Sequence, residues 1–306
     1  MTDKSRVFVT DHEAPTPAMP VQGKTGFVGL GRMGTTMAAN LSASGRQVVA
    51  YVRHQDRMNK LAELGHEPTT DITDLFDCEI VVSMLPDDDA VLDAAFGRAG
   101  SGIEGFAVGL RRGAIHLSMS TIGTGAASHL AKEHARYGQG YVSAPVFGNP
   151  DAAKARQLFI VVAGVPADVE RCRPLIGNLG QQSFIVGVDP AQANLVKLLG
   201  NMMMATTLEM FGETVALLQK RGLDPRLFVD VLTNTMFGGS AHRIYGNRIV
   251  AQSYAPGFAL PLALKDVRLA LAEAENARAP MPSVSIERSP YHRNRPRLCR
   301  SRLDSP

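Results

Sequence analysis

Short apolar runs alternate with amphipathic stretches through the first two thirds of the chain. The runs have the length of strands and predict strands at residues 25–31, 47–52, 79–86, 114–121, 139–148 and 157–164. After the first run, Met33, Met37 and Leu41 recur at helical spacing, and Gly45 follows as a C-cap. Residues 57–65 form a second helical stretch that ends on glycine. Strands that alternate with helices predict a parallel sheet with helices on both faces.

The pattern changes near Asp189, where Asp-Pro offers an N-cap and a proline in the first helical turn. Helical spacing continues to about residue 221. Further helices are predicted around residues 225–235, 239–252 and 263–279. The predicted fold class is therefore α/β: a doubly wound parallel sheet over residues 23–188, followed by an all-α C-terminal domain over residues 189–282.

The two ends of the chain lie outside this pattern. Residues 1–22 contain three prolines and no sustained apolar core, so we expect a poorly ordered extension rather than a secretory signal. Residues 283–306 are rich in Arg, Ser and Pro and have no apolar periodicity, which disfavours a helix. Either a change of reading frame near Pro282 or an unrelated disordered extension would produce such a tail.

Composition narrows the class of protein. Hydrophobic residues make up 45% and charged residues 20% of the 306 residues, and no apolar run is long enough to cross a membrane. Cys78, Cys172 and Cys299 are scattered and form neither a metal-spaced cluster nor a disulfide framework, so we expect a cytoplasmic location. The tail accounts for the net charge of +3 and leaves −1 for residues 1–282. A nucleic-acid partner therefore has no basic surface to bind outside the tail.

A glycine-rich turn joins the first predicted strand to the first predicted helix. It has the spacing G-x-G-x-x-G and consists of Gly29, Leu30, Gly31, Arg32, Met33 and Gly34. Such glycines permit a tight turn, close approach of the backbone to a pyrophosphate, and close packing of helix on strand, while the helix N-terminus supplies amide donors. An ordinary turn is the alternative. Its position at the opening of the α/β domain favours a dinucleotide-binding site.

The end of the second predicted strand indicates which dinucleotide is bound. An NAD site usually has an acidic residue there to bind the ribose diol, whereas this chain has Arg53. An arginine suits the 2′-phosphate of NADP, and His54 and Arg57 could add to the same pocket. A solvated loop arginine is the alternative. The sequence therefore predicts NADP as the cofactor, with NAD as the second possibility.

Six motifs occur in the order and at the spacing of the β-hydroxyacid dehydrogenase family, which the chain resembles over about residues 23–282. They read GFVGLGRMGTTMAANL, VVSMLPDDDAV, SMSTI, APVFG, NLVKLLGNMM and LKDVRLALAEA. The resemblance implies a Rossmann-like domain joined by a long helix to a helical domain, with the active site in the cleft between them. It also implies an NAD(P)-dependent dehydrogenase or reductase that acts on a small molecule as a homodimer or higher homo-oligomer.

The resemblance assigns roles to individual residues. Lys197 matches the catalytic lysine of the family, and Asn201 matches a substrate-binding asparagine. The other positions that match substrate-binding residues are Ser120, Thr121 and Gly148. The positions that match cofactor-binding residues beyond the glycine turn are Leu85, Pro86, Thr121 and Lys265.

The chemistry of hydride transfer explains why a lysine would be needed. Negative charge builds on the carbonyl oxygen during reduction, and an amine close to it can donate a proton in that direction and accept one in the other. Asn194 and Asn201 lie three and four residues from Lys197, so a helix places all three on one face. The alternative is a lysine whose stem lies along the core while its amine stays in water.

Other candidates also have simpler explanations. Ser120 and Thr121 could bond local backbone at a strand end, and Lys265 could form a surface ion pair with Asp266. The acidic run at residues 87–89 precedes an amphipathic stretch, so it predicts a helix N-terminus rather than a metal site. No other residues have the spacing of metal ligands.

The chain departs from the family where many hydroxyacid enzymes have Ser-Gly-Gly to hold the substrate carboxylate. Here the residues are Phe147, Gly148 and Asn149, and Ser118 replaces a frequent aspartate. The leading hypothesis is an NADP-dependent oxidoreductase that transfers hydride between the nicotinamide and the carbonyl or alcohol carbon of a small hydroxy acid or semialdehyde. Phe147 would make this wall of the substrate site larger and less polar than a serine would. This favours an imine or bulkier-carbonyl reductase as the alternative, although imine reductases commonly lack the lysine. A catalytically impaired NADP-binding protein is the third reading.

Overall fold

A computed structural model describes residues 8–10, 23–98, 100, 102, 104–253 and 259–285. The chain divides into two units, Met1–Leu198 and Leu199–Pro306. The first unit contains the sheet. Its strands are β1 (Phe8–Thr10), β2 (Thr25–Val28), β3 (Val48–Tyr51), β4 (Glu67–Thr69), β5 (Ile80–Ser83), β6 (Ile115–Ser118), β7 (Gly140–Ser143), β8 (Val146–Phe147), β9 (Leu158–Gly164) and β10 (Gly180–Gly187).

The strand order places the glycine turn where a ligand is expected. The order is β1-β10-β9-β7-β6-β5-β2-β3-β4, and β8 pairs with β9. The six strands from β7 to β4 are parallel to one another. Because β2 has β3 on one side and β5 on the other, the winding reverses at β2, and ligands bind outside the carboxyl ends of the strands at such a point.

Helices cover both faces of this sheet, as the sequence predicts. The helices of the first unit are α1 (Arg32–Ala43), α2 (Met58–Glu63), α3 (Asp88–Phe96), α4 (Phe106–Gly109), α5 (Thr124–Arg136), α6 (Pro150–Lys154) and α7 (Pro166–Leu179). Successive residues of a strand point to opposite faces, so Phe27 and Val28 of β2 belong to two different core clusters. Met37 of α1 packs in the first cluster and Val91 of α3 in the second. The α/β prediction is confirmed.

The outer part of the sheet differs from the prediction. β7 and β8 both run antiparallel to β9, so a purely parallel sheet holds only for the central strands. The single apolar run predicted at residues 139–148 is two strands, because Pro145 between them has no N–H for the ladder. The apolar pattern also missed β4, which is three residues long, and β10, whose first half is polar.

Phe8–Thr10 are the part of the N-terminal extension that the structure describes. These residues pair antiparallel with β10, with Phe8 opposite Ile185 and Thr10 opposite Ser183. The expectation of a poorly ordered extension over residues 1–22 stays a prediction for the residues outside this short strand. An outer strand such as β10 presents unpaired backbone groups, and a β-prone Phe-Val-Thr segment can satisfy them. The rest of residues 1–22 and the tail from residue 286 lie outside the described residues.

The second unit is helical in its described part. α8 (Pro190–Lys220) runs from the first unit into the second, followed by α9 (Pro225–Asn234), α10 (Ser240–Val250), α11 (Leu260–Asn276) and α12 (Pro282–Ser285). Gly246 lets α10 approach α8 and α9, since a β-carbon there would lie 3.3 Å from Phe211 and 3.1 Å from Val229. The helices predicted after Asp189 are confirmed. None of the described helices is long and apolar enough to cross a membrane.

Candidate functional site

The three glycines of the turn after β2 have different surroundings. Gly29 has a positive φ of 91°, and a β-carbon there would overlap the carbonyl oxygen of Met84. At Gly34 a β-carbon would overlap the carbonyl oxygen of Gly29, whereas at Gly31 nothing lies within 4 Å. The first and third glycines therefore allow the turn and the packing of α1, and the second leaves open space for a ligand to approach the backbone.

The start of α1 is built to receive an acceptor from outside the helix. Gly31 is the N-cap, and a glycine has no side chain that could cap the start of the helix. The turn is held in place because Thr35 Oγ1 donates to the carbonyl oxygen of Leu30 at 2.8 Å. Leu30 itself is buried, and Met33 packs against the core below. Helix N-termini of this kind bind phosphate through backbone amides and the positive end of the helix dipole.

A groove of about 540 Å³ lies beside this turn. Its lining residues are Gly31, Arg32, Thr35, Thr36, Arg57, Lys60, Leu61 and Pro150. Three of these are cations, which suits a ligand with several phosphate groups. Arg53 lies just past the carboxyl end of β3 and is exposed, and the groove lining does not include it. The glycine turn and the groove together fit a phosphorylated dinucleotide.

The loop after β5 is tied to the end of β6 through Ser120. The N–H of Leu85 donates to Ser120 Oγ at 2.8 Å, and that hydroxyl donates to the carbonyl oxygen of Ser83 at 3.4 Å. Ser120 is fully buried, while Thr121 is half-buried and Pro86 is exposed. This geometry favours the simpler reading of Ser120, in which its hydroxyl bonds strand-end backbone and positions the Leu85 loop.

The acidic run after Pro86 begins α3, as predicted. Asp87 Oδ1 accepts from the N–H of Ala90 at 2.9 Å and caps the helix. Asp88 Oδ1 accepts from the N–H of Gly123 at 2.9 Å, which joins the start of α3 to the start of α5. Among the residues that the structure describes, no group of three or more His, Cys, Asp or Glu could hold a metal ion.

Lys197 is buried on α8, with 6% of its surface exposed. One helical turn earlier, Asn194 anchors the helix at the carboxyl edge of the sheet: its amide donates to Ser143 Oγ at 2.9 Å, and its oxygen accepts from the N–H of Ile122 at 3.4 Å. The Nζ atom of Lys197 lies 4.1 Å from the centroid of the Phe147 ring. A lysine with its amine in bulk water is therefore not what the structure shows.

Phe147, Gly148 and Asn149, at and just after the end of β8, each have a separate local role. Gly148 has a φ of 144°, which residues with a side chain rarely adopt, and a β-carbon there would also lie 2.6 Å from Leu158 Cδ2, so the local backbone favours glycine. Asn149 Oδ1 accepts from the N–H of Ala152 at 2.8 Å and caps α6. Phe147 faces the lysine amine. Sequence reasoning noted Phe147 as a departure but did not place it among the site residues.

In the second unit, Asp266 holds two of the predicted site residues. Asn201 Nδ2 donates to Asp266 Oδ2 at 2.6 Å, and Lys265 Nζ lies 3.1 Å from Asp266 Oδ1. The Lys265–Asp266 pair exists, yet it is not a surface pair, because Asp266 is 1% exposed. Asp266 therefore orients both neighbours. The LKDV motif contained this carboxylate, but the sequence offered no sign that it is buried.

A buried chain of hydrogen bonds supports the end of β5. Gln139 donates to two backbone carbonyl oxygens, so its own oxygen accepts from His134 Nδ1 at 2.7 Å. His134 Nε2 then accepts from His116 Nδ1 at 2.9 Å, and His116 Nε2 accepts from the Ser83 hydroxyl at 2.8 Å. Burial lowers the pKa of His134 to about 4 and holds the pKa of His116 well below its ordinary value. Both rings are neutral at pH 7.

A glycine turn at the winding reversal, a cationic groove beside it and a buried amine at the same sheet edge define a dinucleotide-binding α/β protein. Two family models match the chain. The NAD binding domain of 6-phosphogluconate dehydrogenase matches residues 24–187, and the NAD-binding domain of NADP-dependent 3-hydroxyisobutyrate dehydrogenase matches residues 191–300. The second match extends into the Arg-, Ser- and Pro-rich tail that begins at residue 283 and lacks apolar periodicity.

Individual relatives agree with these matches. The chain is 34% identical over 270 residues to the uncharacterized oxidoreductase YfjR of Bacillus subtilis. The aligned residues cover 88% of this chain and 92% of the relative. It is 30% identical to glyoxylate/succinic semialdehyde reductase 1 of Arabidopsis thaliana, over 89% and 92% of the two chains. The fold matches Mycobacterium tuberculosis 3-hydroxyisobutyrate dehydrogenase with a TM-score of 0.76 at 23% identity, over 86% and 90%. The chain belongs to the β-hydroxyacid dehydrogenase family of NAD(P)-dependent oxidoreductases.

Proposed function

We propose that the protein is an NADP-dependent oxidoreductase that transfers hydride between the nicotinamide and the carbonyl or alcohol carbon of a small hydroxy acid or semialdehyde. The observation that carries this proposal is the buried amine of Lys197. Asn194 holds its helix against the carboxyl ends of β6 and β7, at the same sheet edge as the glycine turn. A buried cation at that edge is the group that carbonyl reduction needs.

Lys197 carries the proton in this mechanism. A nicotinamide cofactor, when bound, would supply the hydride in reduction and accept it in oxidation. As hydride reaches the carbonyl carbon, the Lys197 ammonium donates its proton to the oxygen, and the alcohol returns a proton to the amine in the reverse direction. The face of the Phe147 ring attracts the ammonium form and holds it in place, an interaction of about 0.5–2 kcal/mol.

The remaining predicted residues have supporting roles in the proposal. Ser120 is proposed to position the Leu85–Pro86 loop beside the cofactor, and Thr121, next in the chain, is proposed to contact the nicotinamide end. Asn201 is proposed to bind substrate and Lys265 to bind cofactor, with Asp266 fixing the direction of both side chains.

The preference for NADP over NAD rests on charge in the groove. Arg57 and Lys60 line it together with Arg32 of the glycine turn, so more cations are present than a diphosphate alone requires. We propose that Arg57 and Lys60 bind the 2′-phosphate, with Arg53 at the neighbouring strand end. The family description of an NADP-dependent 3-hydroxyisobutyrate dehydrogenase supports this choice, and NAD is the second candidate.

The substrate class follows from the lysine and from the names of the relatives. A relative at 30% identity is named as a glyoxylate/succinic semialdehyde reductase, which supports a small aldehyde with a carboxylate. A reductase of bulkier carbonyl compounds is the second candidate, because the Phe147 ring beside the amine makes the wall apolar.

An exposed apolar stripe supports a homodimer or higher homo-oligomer. Met203, Met210 and Leu217 recur every seven residues on α8, and their exposed fractions are 67%, 62% and 62%. Seven-residue spacing keeps the three side chains on one side of a helix. We propose that a second copy of the chain covers this stripe, since a self-complementary apolar patch is the usual basis of a two-fold interface.

We place the protein in the cytoplasm. Cys78 and Cys172 are free thiols, and burial raises their pKa values to about 11 and about 12. Both therefore stay neutral and unreactive at pH 7. Free structural thiols support a reducing compartment.

An NADPH-linked activity screen tests the proposed function. The panel contains glyoxylate, succinic semialdehyde, short 3-hydroxy acids with NADP⁺, and a cyclic imine. Lys197→Met keeps the length and apolar stem of the side chain, so we expect a 10²–10⁴-fold loss of kcat with NADPH affinity retained. Lys132→Met, an exposed lysine on α5, is the matched control and should keep full activity.

The outcomes separate the three functional hypotheses. Full turnover by Lys197→Met would show that this amine is not the proton donor. Reduction of the imine alone would indicate an imine reductase. NADPH binding with no turnover on any compound would leave a cofactor-binding protein without catalysis.

A further inference from the structure

We propose that Asp88 is a positioning residue for the nicotinamide end of the cofactor. It holds residues 120–123, the 120–123 segment, in place and thereby fixes Thr121. This inference rests on the proposed function, in which Thr121 contacts the nicotinamide end. It goes further by giving a role in cofactor binding to a carboxylate that the sequence indicates only as part of a helix start.

The 120–123 segment lies within reach of a dinucleotide that has its pyrophosphate at the glycine turn. The segment follows β6, which is two strands from β2 in the sheet and therefore about 10 Å away. Leu85 lies between the two: a β-carbon at Gly29 would be 2.9 Å from Leu85 Cδ2, and the N–H of Leu85 donates to Ser120 Oγ at 2.8 Å. A ribose and a nicotinamide ring together span a distance of this order.

Three hydrogen bonds hold this segment, and each joins it to a different element. Ser120 Oγ accepts from the backbone of the loop after β5. The N–H of Ile122 donates to Asn194 Oδ1 of α8 at 3.4 Å. The N–H of Gly123 donates to Asp88 Oδ1 of α3 at 2.9 Å. The segment is therefore fixed relative to the cofactor loop, to α3 and to the helix of the catalytic lysine.

Asp88 supplies an acceptor that the start of α5 does not provide itself. Gly123 is the N-cap of α5, it is buried, and no side chain caps this helix from within. A buried N–H needs an acceptor, and a carboxylate also suits the positive end of a helix. Thr121 is half-buried and lies two residues before Gly123. Without the Asp88 carboxylate the segment loses one of its three bonds, and the backbone that carries Thr121 can shift.

The experiment compares the binding of NADPH with that of 2′-phospho-ADP-ribose, which is the same molecule without the nicotinamide. Calorimetric titration gives a Kd for each ligand. Asp88→Ala should raise the Kd for NADPH about fivefold, because losing one hydrogen bond corresponds to about 2–10-fold in affinity. The Kd for the truncated ligand should stay within about twofold of the wild-type value, which also shows that the variant is folded.

Three further variants identify the cause of this loss. Asp88→Asn keeps an oxygen that accepts from the N–H of Gly123, so both Kd values should stay within about twofold of the wild type. Asp89→Ala is the matched control, since Asp89 also lies in the first turn of α3 and is exposed; it should bind both ligands as the wild type does. Thr121→Val removes the proposed contact and should raise the Kd for NADPH about fivefold. Adding Asp88→Ala to Thr121→Val should change that Kd by less than about twofold, because the two residues act on one contact.

An unchanged Kd for NADPH in Asp88→Ala, or an equal rise for both ligands, would overturn the inference. A rise in Asp88→Asn as large as that in Asp88→Ala would do the same, since it would show that the charge matters rather than the bond. Additive losses in the double variant would show that Asp88 does not act through Thr121. All of these results leave the proposed function intact. If Thr121→Val binds NADPH as the wild type does, the proposed role of Thr121 fails with the inference, and failure of the wild type to bind NADPH would overturn the proposed function itself.

Discussion

Replacing Gly34 with alanine has two opposing effects on the stability of the folded protein. In a helix, Gly→Ala gains about 1 kcal/mol of stability from backbone entropy. Here the added β-carbon would overlap the carbonyl oxygen of Gly29 and lie 3.1 Å from Phe27 Cε1. The turn cannot simply move away, because Gly29 is itself packed against the backbone of Met84.

We expect the steric overlap at residue 34 to cost more free energy than the alanine gains in helix stability. Overpacking against fixed atoms costs about 1–3 kcal/mol, and contact with backbone lies at the upper end of that range. Subtracting the helical gain leaves a loss of about 2 kcal/mol for Gly34→Ala. For a unit of this size each kcal/mol shifts Tm by about 2–4 °C, so we expect Tm to fall by about 4–8 °C in thermal unfolding followed by circular dichroism.

Gly31→Ala is the matched control, because nothing lies within 4 Å of its added β-carbon and its φ of −74° suits alanine. Its Tm should change by less than about 3 °C, since alanine is only a somewhat poorer N-cap than glycine. Its NADPH affinity should nevertheless fall at least about tenfold, because in the proposed site the pyrophosphate occupies the open space at residue 31. An unchanged or higher Tm for Gly34→Ala would refute the packing argument, and wild-type NADPH binding by Gly31→Ala would refute the assignment of the second glycine.

Three further predictions test other parts of the molecule. Arg57→Ala and Lys60→Ala should each raise the Kd for NADPH about tenfold or more in calorimetric titrations and leave the Kd for NADH unchanged. The reason is that each variant removes a proposed charge-assisted bond to the 2′-phosphate. Equal losses of affinity for both cofactors would mean that these cations bind the diphosphate instead. Met210→Glu should shift sedimentation from dimer to monomer by placing a charge in the proposed interface, and an unchanged oligomer would exclude the stripe as its contact surface. His134 has a folded pKa of about 4 against an ordinary value of 6.5, so the unfolded chain binds the proton first and stability falls by up to about 3 kcal/mol as pH drops from 6.5 to 4. His134→Gln should flatten that dependence in thermal melts, and an unchanged slope would show that the buried chain is not its source.

Local features of the fold could be predicted from sequence because each depends on a few neighbouring residues. The glycine turn, the Asp87 cap and the start of α8 after Asp189 are read from adjacent positions, and the structure confirms the elements that they begin. The strands missed were β1, which falls in the predicted N-terminal extension, and β4 and β10, where the apolar signal is short or interrupted by polar residues.

Features that join distant parts of the chain were harder to predict from the sequence. Nothing in the run at residues 157–164 indicated that β9 would be antiparallel to β7, since strand direction is set by how α6 and α7 connect and pack. The substrate-binding role of Ser120 stays a prediction, but the sequence did not indicate that its hydroxyl accepts from backbone of the β5 loop, 35 residues away along the chain.

The amino-acid sequence by itself determined the α/β unit, the helical unit that follows and the glycine turn, because hydrophobic periodicity, glycine spacing and capping residues act over one or two turns of chain. Lys197 was singled out by the resemblance to the family motifs, since the helical pattern alone fits a structural lysine equally well. Only the tertiary structure decided that Phe147 faces Lys197, that Asn194 anchors the helix of Lys197, and that a buried Asp266 directs Asn201 and Lys265. Except for the adjacent Lys265 and Asp266, the residues in these contacts are dozens of positions apart. Their geometry depends on how closely packed elements fit against one another, which no local pattern encodes.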